Sequence, residues 1–221
     1  MNKLNNLISI VVPVYNESDS IRLLINEIIN VMKSHQLLFE LIIVNDGSVD
    51  RTSNVLENLS LEIKQLTVIN LRKNYGQTAA LAAGFDHSNG DIIVTLDGDL
   101  QNDPNDIPKL ITNINEGYDL ICGWRFQRKD KLLNRRIPSQ IANRLIGNVT
   151  GIHLHDYGCS LKAFKHEIIK DIKLYGELHR FLPVLANIEG AKIKEIKVNH
   201  RSRKYGQSKY GIDRTFRVLM D

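Results

Sequence analysis

The 221-residue chain has little of what marks several common protein classes. It has two cysteines, Cys122 and Cys159, without C-x-x-C spacing. They make neither a zinc site nor a disulfide framework, and read as buried free thiols in a reducing compartment. There is no G-x-G-x-x-G and no G-x-x-x-x-G-K-[ST], which argues against a dinucleotide oxidoreductase and a P-loop NTPase. No apolar run approaches the roughly 18 residues of a membrane-spanning helix. MNKLNN leads straight into a strand-like run, so no signal peptide is expected. Aromatic residues are only 6% of the chain. The basic stretches 124–136 and 200–214 therefore lack the interleaved rings of a base-stacking groove, apart from Trp124 and Phe126, and no nucleic-acid partner is expected.

What is present is an ordinary globular balance, 43% hydrophobic and 24% charged with a formal charge of +4. It suits a single domain with its own core. Strand-like apolar runs at 7–14, 39–45, 66–71, 91–96 and 118–123 alternate with helical patterns at 18–34, from about 50, at 76–87 and at 104–115. Ser18 or Ser20 is placed to cap the first helix. This rhythm predicts an α/β fold with a mainly parallel central sheet and helices on both faces. After Gly123 the pattern becomes a basic loop (124–135), a helix (about 136–149), a Gly/His/Asp-rich segment (151–160) and the strand-like LKAF. Helices near 165–171 and 178–188 and a strand at 192–198 follow. The tail 210–221 has helical spacing that suits either an interfacial helix or a docking helix.

Open parallel sheets bind ligands at the carboxyl ends of their strands. The polar residues there are Tyr15-Asn16-Glu17, Asp46-Gly47-Ser48, Arg72-Lys73-Asn74 and Asp97-Gly98-Asp99. In an extended segment Asp97 and Asp99 share one side, with Gln101 continuing the alternation. Two carboxylates and an amide oxygen suit Mg²⁺ or Mn²⁺ completed by substrate phosphates. Asp46 reads either as a nucleoside ligand or as a helix N-terminal acid. Gly76 and Gly84 read either as ligand contacts or as close-packing positions.

PVYNE (13–17), the DGS-x-D run from Asp46 to Asp50, NYGQTAALAAGFDHSNGD (74–91) and LDGDLQNDP (96–104) occur in this order. Together they resemble the family 2 glycosyltransferases of the GT-A fold, a Rossmann-like architecture. GWR (123–125), RRIPSQIANRL (135–145), HDYGCSLKAF (155–164), HRFLP (179–183) and RKYGQSK (203–209) are similar to the polyprenyl-phosphate branch. That branch includes dolichol-phosphate mannose synthases and bacterial undecaprenyl-phosphate glycosyltransferases. The resemblance spans essentially the whole chain.

The resemblance implies an inverting transfer of a hexose from a UDP- or GDP-linked donor to an undecaprenyl or dolichyl phosphate, at the cytoplasmic face of a membrane. Pro13, Tyr15, Glu17, Asp46 and Asp97 would hold the nucleotide sugar. Asp97, Asp99 and Gln101 would hold Mg²⁺ or Mn²⁺ and the diphosphate. Arg125, Arg136 and Ser139 would meet the acceptor phosphate. Asp156, with Asp99, would sit at the reacting centre. Arg203, Ser208 and Lys209 would close over the phosphates. The chain then divides into a nucleotide-sugar half (about 1–123), an acceptor half (about 124–209) and a juxtamembrane or interfacial segment (about 210–221), and a homo-oligomer is compatible with it. The competing readings are transfer to a sugar hydroxyl, a sugar nucleotidyltransferase and a non-catalytic binding module.

Overall fold

The computed structural model describes residues 6–126, 146–148 and 150–204. Seven strands form one sheet: β1 (Ile8–Val14), β2 (Phe39–Asn45), β3 (Leu66–Asn70), β4 (Ile92–Thr95), β5 (Leu120–Arg125), β6 (Lys162–Lys165) and β7 (Ile193–Val198). Their order is β3-β2-β1-β4-β6-β5-β7. All neighbouring pairs are parallel except β4–β6 and β6–β5, because β6 runs antiparallel. The α-helices described end to end are α1 (Ile21–Ser34), α2 (Thr52–Glu62), α3 (Gln77–Asp86), α4 (Ile107–Asn115), α5 (His166–Lys170) and α6 (Leu182–Ile188), and residues 146–148 are also helical.

The continuous apolar runs are explained by burial on both faces. Ile8, Ile10, Val12 and Val14 pack with Leu24, Ile25 and Ile28 of α1, Leu56 and Leu59 of α2, and Leu110 and Ile114 of α4. Val11, Ile42, Val44 and Ile93 point the other way, onto Ala80, Leu81 and Phe85 of α3 and Leu182 and Ala186 of α6. Each of the valine, leucine, isoleucine and phenylalanine side chains contributes about 1.5–3 kcal/mol by leaving water. Gly84 belongs to this packing and not to a ligand site. A Cβ there would overlap Val11 Cγ1, so glycine lets α3 close onto β1.

Several boundaries differ from expectation for local reasons. Ser20 occupies the N-cap of α1 without a capping bond. Its hydroxyl is drawn instead to Glu17 Oε2 (2.8 Å) and the Gly98 carbonyl (3.0 Å). The expected helix at 104–115 opens as a 3₁₀ turn, Pro104–Asp106, under the Asp103 side chain. β5 runs through Trp124 and Arg125, paired with Lys197 and Val198 of β7, so these two residues are strand and not the start of the basic loop expected at 124–135. Cys122 and Cys159 are buried free thiols, as expected. The expected helix 136–149 falls largely outside the described residues, and the tail 210–221 entirely so.

Candidate active site

The carboxyl ends of β1, β2, β3, β4 and β5 gather at one end of the sheet. The antiparallel sense of β6 brings the preceding segment, 155–161, to the same end.

The first region is a cavity of about 740 Å³ whose walls include Tyr15, Gly47, Ser48, Asn70, Arg72 and Lys73. The loops after β1 and β2 are clasped together, with Asn16 N donating to Ser48 Oγ (2.9 Å) and Val49 N to Asn16 Oδ1 (2.8 Å). Asp46 is buried, and its carboxylate accepts the N–H groups of Tyr75 (2.7 Å) and Gly76 (2.9 Å). Burial raises its pKa, and these two bonds offset part of the rise. Asp46 thus fixes the loop that enters α3, with Gly76 at φ +94°. Pro13 lies within β1, opposite Val44. Gly47 has φ +65°, and a Cβ there would lie 2.6 Å from Asn74 N. Gly47→Ala is therefore expected to displace residues 72–74, which line this cavity, at a cost in stability of about 1–3 kcal/mol, that of a strained backbone position. Thermal denaturation checks this.

The second region is the carboxylate turn. β4 ends at Thr95, and Leu100 takes a left-handed conformation, φ +63°. The carboxylates are therefore gathered by a turn and not by strand alternation. Gln101 N closes the turn on Asp99 Oδ1 at 3.0 Å. Gln77 Nε2, in the first turn of α3, donates to Asp97 Oδ1 at 2.8 Å. Asp99 is buried, and its pKa is pushed up to about 6, first by desolvation and then by the charge of Asp97, against the pull of Arg203. Arg203 Nη2 donates to Asp99 Oδ2 and, at 3.4 Å, to Gln101 Oε1; its Nη1 lies 4.0 Å from Glu17 Oε1. A cationic side chain thus sits on the same oxygens nominated for a metal. Among the described residues no group of three or more His, Cys, Asp or Glu is arranged to hold a metal ion. This donor set fits a hard divalent ion shared with phosphate oxygens, and does not fit one caged by protein alone.

The segment carrying Arg203 is itself anchored. Arg201 bridges Glu27 (2.6 Å) and Asp103 (2.7 Å), and its N–H donates to the Gln101 carbonyl at 2.9 Å. Ser208 and Lys209 lie outside the described residues.

The third region is built by β5 and the segment before β6. Arg125 grips Asp156 with both arms of its guanidinium, Nε to Oδ2 at 2.7 Å and Nη2 to Oδ1 at 2.8 Å. The backbone N of Asp156 donates to Glu195 Oε1 at 2.9 Å, and that of His155 to Glu195 Oε2 at 3.1 Å. Burial opposes the Arg125 charge, but the bonds and charge of Asp156 outweigh it and raise its pKa; Asp97 contributes in the same direction. Trp124 stacks on His155, ring centroids 4.0 Å apart. Arg136 and Ser139 lie outside the described residues.

Residues 9–173 match the model of a family described as Glycosyl transferase family 2. The chain belongs to this family. Over 218 residues it is 48% identical to a dodecaprenyl-phosphate galacturonate synthase from Rhizobium johnstonii, covering 97% of this chain and 64% of that protein. It is 40% identical over 217 residues to an undecaprenyl-phosphate 4-deoxy-4-formamido-L-arabinose transferase from Shewanella sediminis, covering 98% of this chain and 65% of that one. The chain thus spans just under two thirds of each relative. A solved neighbour is glucosyl-3-phosphoglycerate synthase from Mycobacterium tuberculosis in complex with Mn²⁺, UDP and phosphoglyceric acid. It has a TM-score of 0.70 at 20% identity, covering 91% of this chain and 72% of that one. The mainly parallel seven-stranded sheet with helices on both faces is the GT-A fold of such glycosyltransferases.

The family 2 motif LDGDLQNDP leads to Asp97 and Asp99, and the motif HDYGCSLKAF of the polyprenyl-phosphate branch leads to Asp156. They do not single out Gln77, Asn102, Ser160 or Glu195. Glu195 lies in the lysine-rich edge strand IKEIKV, which by itself reads as protection of an edge from pairing.

Proposed function

We propose that this chain transfers a sugar from a nucleotide diphosphate donor to a polyprenyl phosphate, with inversion at the anomeric carbon. The observation that carries the reading is the approach of two arginine-bearing elements to one carboxylate turn. Arg203 lies on Asp99 and Gln101, and Arg125, paired with Asp156, stands close enough for Asp97 to act on its charge. A reaction between two phosphorylated substrates needs such an arrangement, since arginine forks bind phosphate oxygens bidentately and keep their charge.

In this reading Tyr15, Pro13 and Asp46 define the nucleoside end, with Glu17 nearer the diphosphate. Asp97, Asp99 and Gln101 hold Mg²⁺ or Mn²⁺ together with the donor diphosphate. Bound there, the ion supplies Lewis-acid stabilisation of the leaving group. The acceptor phosphate oxygen bonds to the anomeric carbon as the bond from that carbon to the diphosphate oxygen breaks, and the nucleoside diphosphate leaves. A phosphate monoester has a second pKa near 6 and is largely a dianion at neutral pH, so it requires positioning more than deprotonation. The grip of Arg125 on both oxygens of Asp156 supports a positioning role for that carboxylate. Arg136 and Ser139 complete the acceptor site, and Ser208 and Lys209 the closing loop.

The relatives' names support polyprenyl phosphate as acceptor and make galacturonate the first sugar to test. A polyprenyl acceptor calls for a membrane surface, and the reading proposes its cytoplasmic face. No helix among the described residues is long and apolar enough to cross a membrane.

The test is nucleoside diphosphate release from UDP-galacturonate, UDP-glucose or GDP-mannose in detergent, with and without undecaprenyl phosphate and Mn²⁺. Release that needs both additions is expected. Release that needs only a glycan acceptor, or pyrophosphate formation from a nucleoside triphosphate, would replace this reading. Proton competition gives a second expectation. Asp99 is raised to about 6, so it is ionised at neutral pH and takes up a proton as pH falls through that value. A protonated carboxyl does not ligate, and Mn²⁺ affinity should be about tenfold lower at pH 5 than at pH 7. Electron paramagnetic resonance of free Mn²⁺ measures it.

A further inference from the structure

The carboxylate turn and the acceptor-side segment are joined by a buried polar bridge. Asn102 is 3% exposed. Its Oδ1 accepts two hydrogen bonds, from Asp97 N at 3.1 Å and from Ser160 Oγ at 2.8 Å. The Ser160 carbonyl in turn accepts Thr95 Oγ1 at 2.7 Å, from the last residue of β4. The buried ammonium of Lys162 donates to the carbonyls of Tyr157 and Cys159, holding the turn between Asp156 and Ser160. Ser160 therefore touches the end of β4 through its carbonyl and Asn102, just past the carboxylate turn, through its hydroxyl. It stands four residues after Asp156 in a segment closed by Lys162.

Satisfying buried polar groups requires a partner for each atom. It does not require the two sides of an active site to share one acceptor. Here a single amide oxygen takes one bond from each side. A shift of the carboxylate turn must therefore either break a bond to Asn102 or move segment 155–161 with it.

We propose that Asn102 and Ser160 are positioning residues that register the carboxylate turn against the segment bearing Asp156, so that occupation of the turn by metal and nucleotide is transmitted to Asp156 and Arg125. This deepens the proposed function and rests on it. Neither residue touches a reacting atom.

The chain reports on itself. Trp124 is its single tryptophan, and it stacks on His155 beside Asp156. Wild-type protein titrated with UDP or GDP plus Mn²⁺ is expected to change its tryptophan emission. Ser160→Ala should keep nucleotide–Mn²⁺ affinity within about twofold by calorimetry and still unfold cooperatively, with a modestly lower melting temperature, yet lose the emission change. Its kcat should fall by about 10²-fold, as expected for slight misplacement of reacting groups, with KM for the donor little altered. Ser160→Thr, which keeps the hydroxyl, should restore both. An unchanged kcat and emission response in Ser160→Ala overturns the proposal. So does equal loss of nucleotide binding, which would make Ser160 part of the donor site, and so does a Ser160→Thr protein that behaves as Ser160→Ala. A wild-type emission that ignores bound nucleotide overturns the transmission. If wild-type protein binds neither nucleotide with Mn²⁺, the proposed function falls and takes this inference with it, an outcome distinct from normal binding without coupling.

Discussion

Asp99→Asn is expected to lower turnover by roughly 10³-fold, the several kcal/mol that a divalent ion supplies to a charged leaving group. Asp99 is buried in the turn, closes it through Gln101 N, and carries the oxygen gripped by Arg203. The amide keeps the shape and one acceptor, so the fold should survive. The charge that draws the Arg203 guanidinium, and with it the proposed metal ligand, is lost. Mn²⁺ binding should fall with turnover, and the pH dependence of Mn²⁺ affinity near 6 should vanish in the variant. Calorimetry and steady-state kinetics on the same preparation test this, and wild-type turnover in Asp99→Asn would remove this residue from the metal site.

The second large effect is expected at Arg125. Arg125→Met leaves Asp156 buried without the fork that holds it, and breaking such a pair costs about 3–5 kcal/mol of stability. Turnover should fall about 10²-fold or more, with the acceptor KM rising most. Arg125→Lys should recover part of the stability but little of the activity, because an ammonium cannot match both oxygens of the carboxylate. Asp156→Asn keeps the shape and tests the chemistry. With a phosphate acceptor it should retain measurable turnover, since no proton need be removed. With a hydroxyl acceptor the loss of a general base should nearly abolish it. Because Arg125 and Asp156 form one pair, single substitutions at either report on both. Thermal denaturation beside kinetics separates loss of the pair from loss of chemistry.

The alternation of apolar runs with helical patterns made most of the sheet legible, because strands buried on both faces leave continuous apolar segments. The sense and position of β6 were not legible. KAFK is short, and its neighbours in the sheet are set by residues far away in sequence. Asp97 and Asp99 stand out in the sequence because motif and strand end coincide. Alternation does not assemble them, because Leu100 turns the chain at a left-handed position where alternation would continue. The reach of β5 to Arg125 was hidden because its pairing partner, β7, lies some seventy residues on. Arg125 and Asp156 were both singled out, but nothing in their spacing announced that they bind each other. Ser160 and Asn102 were hidden for the same reason, since a hydrogen bond between loops leaves no periodicity.

The place of β6 in the sheet also bears on how the chain is made. Strand β4 has β1 on one side, and on the other it waits for Lys162–Lys165. During synthesis at ordinary rates that wait is on the order of ten seconds. Throughout it, the half-sheet β3-β2-β1-β4 carries an open edge of four apolar or β-branched residues, Ile92–Thr95, all buried in the finished molecule. β5, completed at Arg125, has no strand neighbour until β6 and β7 follow it. Such an edge is a template for pairing with another nascent chain. The same insertion that delivers Asp156 to the site therefore makes the first 125 residues the aggregation-prone stage of biogenesis, and holdase chaperones should engage ribosome-bound chains there.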